Sequence, residues 1–128
     1  MNSEDYHRMA AARADSPAPT GSATWPVVSD FAERMEEKLA KNRHKGDRKG
    51  WLKDHPIDLW NRLDEESTEL YAALKNENST FEEIANEAAD VANFAMMIAD
   101  IMTQRQLACE RGRAQSQTAK LTDRRDEL

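Results

Sequence analysis

Beyond a polar leader, apolar side chains recur along the chain at helical spacing. Phe31, Met35 and Leu39 stand at i, i+4 and i+8, the stripe of a first helix. Ser29 or Asp30 is a good N-cap for it, with Asp30 and Glu33 at capping-box spacing. The period fails around Asn42. Residues 44–55 read as a loop, with Gly46, Gly50 and Trp51 as its one large apolar anchor. Pro56 suits the first turn of a second helix, with Asp54 as a cap. Trp60, Leu63, Leu70 and Leu74 carry its apolar face to about Lys75, and Asn76-Glu77-Asn78 ends it. Ser79-x-x-Glu82 is a capping box for a third helix. That helix runs through Ile84, Ala88, Val91, Ala95, Ile98 and Met102, with no Gly or Pro until Gly112. No segment alternates like a strand and nothing repeats, so the pattern predicts an all-α, antiparallel helical bundle.

The two ends carry less signal. Residues 1–28 read as a leader, with a possible helical turn at residues 9–14 before the linker composition Ser16-Pro17-Ala18-Pro19-Thr20-Gly21-Ser22. Loose order is expected there unless a neighbouring subunit covers it. Residues 104–128 are polar and mixed in charge; they extend the third helix, form a fourth or fray. The expected organisation is a leader at 1–28, a catalytic helical domain at 29–103 and a C-terminal helix or tail at 104–128.

Composition narrows the class. The 128 residues suit one domain, and an apolar share of 39 % with a mean hydropathy of -0.87 implies a small core. Four glycines, four prolines and 6 % aromatics argue against a β-sandwich. Cys109 is the one cysteine, so an intrachain disulfide is excluded, and no Cys/His cluster points to zinc. The N-terminal residues lack a signal peptide's positive and apolar regions, and no apolar run spans a bilayer. A cytoplasmic protein is expected, with the closing Arg125-Asp126-Glu127-Leu128 a chance likeness to a retention signal.

Charge then divides the centre of the chain. The net charge is -6, and residues 30–100 hold 17 of the 24 acids but 10 of the 18 bases. Within them, Lys41, Arg43, Lys45, Arg48, Lys49 and Lys53, with His44, form a compact basic stretch. Such a division suits metal cations on one side and an anionic small molecule on the other. It does not suit a nucleic-acid duplex.

The chemistry lies in two carboxylate pairs. Residues three or four apart share a helical face, about 5–6 Å apart at Cβ. Glu66 and Glu69 therefore point together on the second helix, with Arg62 one turn earlier and Glu65 at the edge. Glu83, Glu87 and Asp90 share a face of the third. The 17 residues from 70 to 86 allow a turn and an antiparallel return, so the pairs can face each other. Carboxylates crowded together repel, and the cluster must hold cations or protons. Oxygen-only donors select hard ions, Mg²⁺ or Mn²⁺, and Mg²⁺ is commonly completed by water and substrate phosphates.

The Glu-Glu-x-x-Glu … Glu-x-x-Asp pattern resembles MazG-type nucleotide pyrophosphohydrolases, of the all-α superfamily that includes dimeric dUTPases and phosphoribosyl-ATP pyrophosphohydrolases. The resemblance covers roughly residues 29–103. Lys41-Asn42-x-His44-Lys45-Gly46 … Trp51 and Asp90-Val91-Ala92-Asn93 look closest to the phage-encoded, MazZ-like branch acting on dATP or dGTP. The resemblance implies that Glu66, Glu69, Glu87 and Asp90 are metal ligands for two or three Mg²⁺ or Mn²⁺ ions when substrate is bound. It implies cleavage of a nucleoside triphosphate to monophosphate and pyrophosphate, with Glu65 or Glu66 orienting or deprotonating the attacking water. Lys41, His44 and Lys45 then meet the outer phosphates, within one chain or across subunits, unless they are a solvated basic loop. Asn93 faces the nucleotide or satisfies a core contact, the former favoured. Trp51 and Trp60 can stack on a base, but packing is the simpler role for both, and Met96, Met97 and Met102 suit a core or an interface. The likeness also implies a bundle completed by oligomerisation, as a homodimer or a homotetramer of paired dimers, in the cytoplasm of a phage-infected host.

Three other readings compete. A non-catalytic helical interaction module needs no divalent cation. A di-iron or di-manganese bundle needs two Glu-x-x-His pairs, and of His7, His44 and His55 only His7 lies three residues after a Glu, Glu4 in the leader. Nucleic-acid binding through the basic stretch is weakened by its acidic surroundings. Within the enzyme class, a dUTPase-like specificity stays open.

Overall fold

A computed structural model describes residues 18–21 and 23–126 of the chain. The helical turn expected at residues 9–14 lies outside them. Among the described residues every regular element is helical: α1 is Pro26–Lys41, a 3₁₀ turn covers Arg43–Lys45, α2 is Arg48–Trp51, α3 is Pro56–Lys75 and α4 is Phe81–Asp126. The chain divides at Glu33 and Arg34, inside α1, into two units. Of the first, the described part is the approach to α1 and its opening turns. The second carries everything that follows.

α1 starts earlier than Ser29 or Asp30. Pro26 has the backbone angle a first turn requires, and the Trp25 carbonyl accepts from the amides of Val28 and Ser29 at 3.0 and 3.2 Å. Asp30 and Glu33 thus sit inside the helix and form no capping box. The expected loop at 44–55 also contains helix. Asp47 caps α2, its Oδ1 accepting from the amides of Lys49 and Gly50 at 3.1 and 3.4 Å. Gly46, at φ 150°, joins the 3₁₀ turn to α2 in a conformation that a Cβ would strain.

α3 is capped by His55, not Asp54: the His55 Nδ1 accepts from the Ile57 amide at 3.1 Å. The capping box of α4 is displaced by one residue, to Thr80 and Glu83. The Thr80 amide donates to Glu83 at 2.9 Å, and the Glu83 amide donates to the Thr80 hydroxyl at 3.1 Å. Glu82 is drawn away by Arg34, at 2.9 Å. α4 then continues without a break for 46 residues, and residues 105–125 are exposed throughout. The polar C-terminal stretch is an extension of this helix.

α3 folds back on α4, the main helix–helix packing of the second unit. Its covered stripe is Leu59, Leu63, Glu66, Leu70 and Ala73, a spacing of four and three that turns the helix one position from the face expected. Trp60 and Leu74 are therefore 54 % and 61 % exposed, and packing is not the role of Trp60 in this chain. On α4, Ala95 and Met102 are exposed, while Ala89 and Ile101 are buried. Leu59, Ala89 and Ile101 are the buried apolar residues, a very small core. Met35 and Leu39 of α1 are half-buried, and the amide of Asn93 donates from α4 to the Met35 carbonyl at 3.1 Å.

Candidate functional site

The turned face of α3 has a chemical consequence. Between Leu63 and Leu70, where a third apolar residue would close the stripe, stands Glu66, half-buried. Glu69 follows at the rim, and α4 brings Glu87 opposite. Carboxylate oxygens of Glu66, Glu69 and Glu87 lie within 4.8 Å of one another. Three like charges at that separation repel strongly. The Glu66 carboxyl is pushed up to about 7, first by burial, then by its hydrogen bond to Glu69 and the charges of Glu69, Asp90 and Glu87. Glu87 is raised as well, by burial first and then by the charges of Glu69 and Asp90. Its Oε2 is enclosed and has no hydrogen-bond partner.

Asp90 stands slightly apart from this trio. Its Oδ2 takes an ion pair from Lys38 of α1, with Nζ at 3.0 Å, and both side chains are largely covered. The sequence reading passed over Lys38. Phe31, Met35, Lys38 and Asn42 are spaced by four, three and four and are all half-buried, so a cation on the covered stripe of α1 was the available signal.

A cleft of about 570 Å³ opens beside the carboxylates. Glu66, Glu69, Asp90, Asp47 and Asp54 line it, with Lys38, Lys45 and Arg62 as its cations, and Asn93, Trp51 and Leu59 complete the lining. Asn93 is 4 % exposed, and with its Nδ2 committed to Met35 its Oδ1 is left without a hydrogen-bond partner. An enclosed acceptor of this kind is costly unless a donor reaches it. Of the expected site residues, Glu66, Glu69, Asp90, Lys45, Trp51, Arg62 and Asn93 thus meet at one cleft, with Glu87 in the carboxylate trio. Glu65, Lys41 and His44 are exposed and do not line it.

The basic stretch is held by a clamp. Arg48 donates from Nε and Nη2 to the two oxygens of Asp100, each at 2.9 Å. Trp51 Nε1 donates to Asp100 Oδ2, also at 2.9 Å. These bonds, Arg48 first, hold the Asp100 carboxyl down to about 2. Arg48 belongs to the basic stretch, but its pairing with Asp100 is not legible in the sequence, because the two lie 52 residues apart. The clamp fixes Trp51 with its ring between this cleft and a second one of about 580 Å³, which contains none of the clustered carboxylates.

No helix among the described residues is long and apolar enough to cross a membrane. The donor set around Glu87 is oxygen only, with one enclosed oxygen unpartnered, and fits a hard divalent cation. Searches against family models, curated proteins and solved structures find no match to the chain.

Proposed function

We propose that the protein is a divalent-cation-dependent nucleoside triphosphate pyrophosphohydrolase, of the kind its MazG-like residue pattern resembles. The observation that carries this reading is the juxtaposition, at one cleft, of crowded carboxylates with Lys38, Lys45 and Arg62. A cleft lined by both acids and bases suits a metal-bound polyphosphate, whose charges it can meet.

Glu66, Glu69, Glu87 and Asp90 would hold Mg²⁺ or Mn²⁺, which when bound would neutralise phosphate charge and make a water more acidic. Lys45 and Arg62 face the phosphates. Glu66, which lies in the carboxylate cluster and lines the cleft, is better placed than the exposed Glu65 to orient or deprotonate the attacking water. Asn93 offers its unpartnered oxygen to a donor on the sugar or base. Release of pyrophosphate and nucleoside monophosphate follows from attack at the α-phosphorus. The preference for a deoxypurine, dGTP or dATP, rests on the resemblance alone, as does a cytoplasmic setting in a phage-infected host.

A homodimer, or a tetramer of paired dimers, completes the bundle. Its support is the small core, together with Ile57, Trp60, Tyr71 and Leu74, all exposed and at coiled-coil spacing on the outer side of α3.

The test is product analysis over all ribo- and deoxynucleoside triphosphates with Mg²⁺ or Mn²⁺. Pyrophosphate and monophosphate in equal amounts, abolished by chelation, are expected. Absence of cleavage for every nucleotide, or release of orthophosphate, overturns the reading and favours the interaction module.

A further inference from the structure

Lys38 occupies an unusual position for a structural ion pair. α1 is also fastened to α4 about one turn before Lys38, by Arg34 to Glu82 and Asn86 at 2.9 Å each and by Asn93 to the Met35 carbonyl. Its ammonium therefore does not dock the helix alone. It lies instead against Asp90 at 3.0 Å, and its charge also reaches Glu87. The same ammonium lines the cleft that Lys45 and Arg62 share. Lysine carries its charge on a four-carbon stem with rotatable donors, so it can change partner without moving the helix.

We propose that Lys38 is an exchangeable counter-ion: it neutralises Asp90 while no divalent cation is bound and transfers to a substrate phosphate once the carboxylates hold metal. This rests on the reading of the carboxylates as a metal site. The consequence is a linkage. Divalent cation and Lys38 compete for Asp90, whereas polyphosphate and Lys38 attract, so metal and polyphosphate each favour the arrangement the other needs. Lys38 thereby couples loading of metal to capture of the phosphate chain. It also discourages metal from settling in the cleft ahead of substrate.

The proposal predicts effects of opposite sign. Mn²⁺ uptake by the full chain, followed by electron paramagnetic resonance, becomes about fivefold tighter in Lys38→Met, because the internal competitor is gone. Inorganic triphosphate at saturating Mn²⁺ binds about tenfold more weakly to the same variant, as expected for one lost charge-assisted contact. Lys38→Arg stays close to wild type in both. Loss of both affinities in Lys38→Met, or no change in either, overturns the exchange. Mn²⁺ that fails to bind the wild type overturns the metal site as well, which separates the two ideas. A measurement on the unsubstituted protein guards against a misfolded variant. The chain has seven lysines, and the ¹⁵N side-chain resonance of Lys38 is expected to shift when Mg²⁺ saturates the protein. An unmoved Lys38 resonance counts against exchange.

Discussion

The two walls of the cleft are built on opposite terms. The acidic wall stands on α3 and α4, where regular helical spacing sets Glu66, Glu69 and Glu87 against one another. The basic wall is irregular, a 3₁₀ turn, one glycine at φ 150° and the single turn of α2. On the first wall the charges are alike and held together by packing. On the second, Asp47 holds the start of α2 by accepting from two backbone amides, and an ion pair joins Arg48 to Asp100. The acidic wall crowds like charges together. The basic wall is tied to α4 by its clamp.

The sharpest break in this comparison is a change on the acidic wall. Glu69→Gln removes a charge at the rim while keeping the shape of the side chain. Turnover is expected to fall about 10³-fold, some 4 kcal/mol of transition-state stabilisation, in the pyrophosphate-release assay. Full activity in that variant overturns the placement of the site.

A smaller effect is expected on the basic wall. Asp100→Asn keeps an acceptor for Trp51 but takes the charge from Arg48. The stretch from 43 to 54 should exchange its amide hydrogens faster, and KM should rise about tenfold with little change in kcat, the mark of lost ground-state positioning. A fall in kcat alone would place Asp100 in the chemistry and erase the contrast between the walls.

The contrast explains what the sequence could and could not reveal. The carboxylate pairs were legible because a helix imposes its period on chemistry and packing alike. The face of α3 was misread by one position. Trp60 looks like a core residue, yet the return of α4 selects Leu59, and a choice between adjacent stripes is made by the partner helix. The displaced capping box has the same origin: Ser79-Thr80-Phe81-Glu82-Glu83 allows two registers, and Arg34, 48 residues away, decides between them by taking Glu82. Lys41 and His44 were grouped with Lys45 by proximity along the chain, but the 3₁₀ turn sends only Lys45 to the cleft. The unbroken α4 was open to three readings, because a polar helix with no covered face carries no apolar period.

The smallest expected effect is on stability, and its sign follows from the raised carboxyls. Glu66 moves from 4.5 to about 7 on folding, so its contribution is complete below pH 4.5 and is lost as pH rises through about 7. The Asp100 contribution runs the other way, complete above its unfolded value of 3.8 and lost only as pH falls through about 2. Through Glu66, the metal-free protein should melt lower at pH 8 than at pH 5. The most direct test of the metal site follows: the melting temperature at pH 5 and at pH 8, each with and without millimolar Mg²⁺. The account predicts that Mg²⁺ raises the melting temperature by about 5 °C at pH 8, where the carboxylates are ionised, and hardly at all at pH 5. No shift at pH 8, or an equal shift at both, would contradict it.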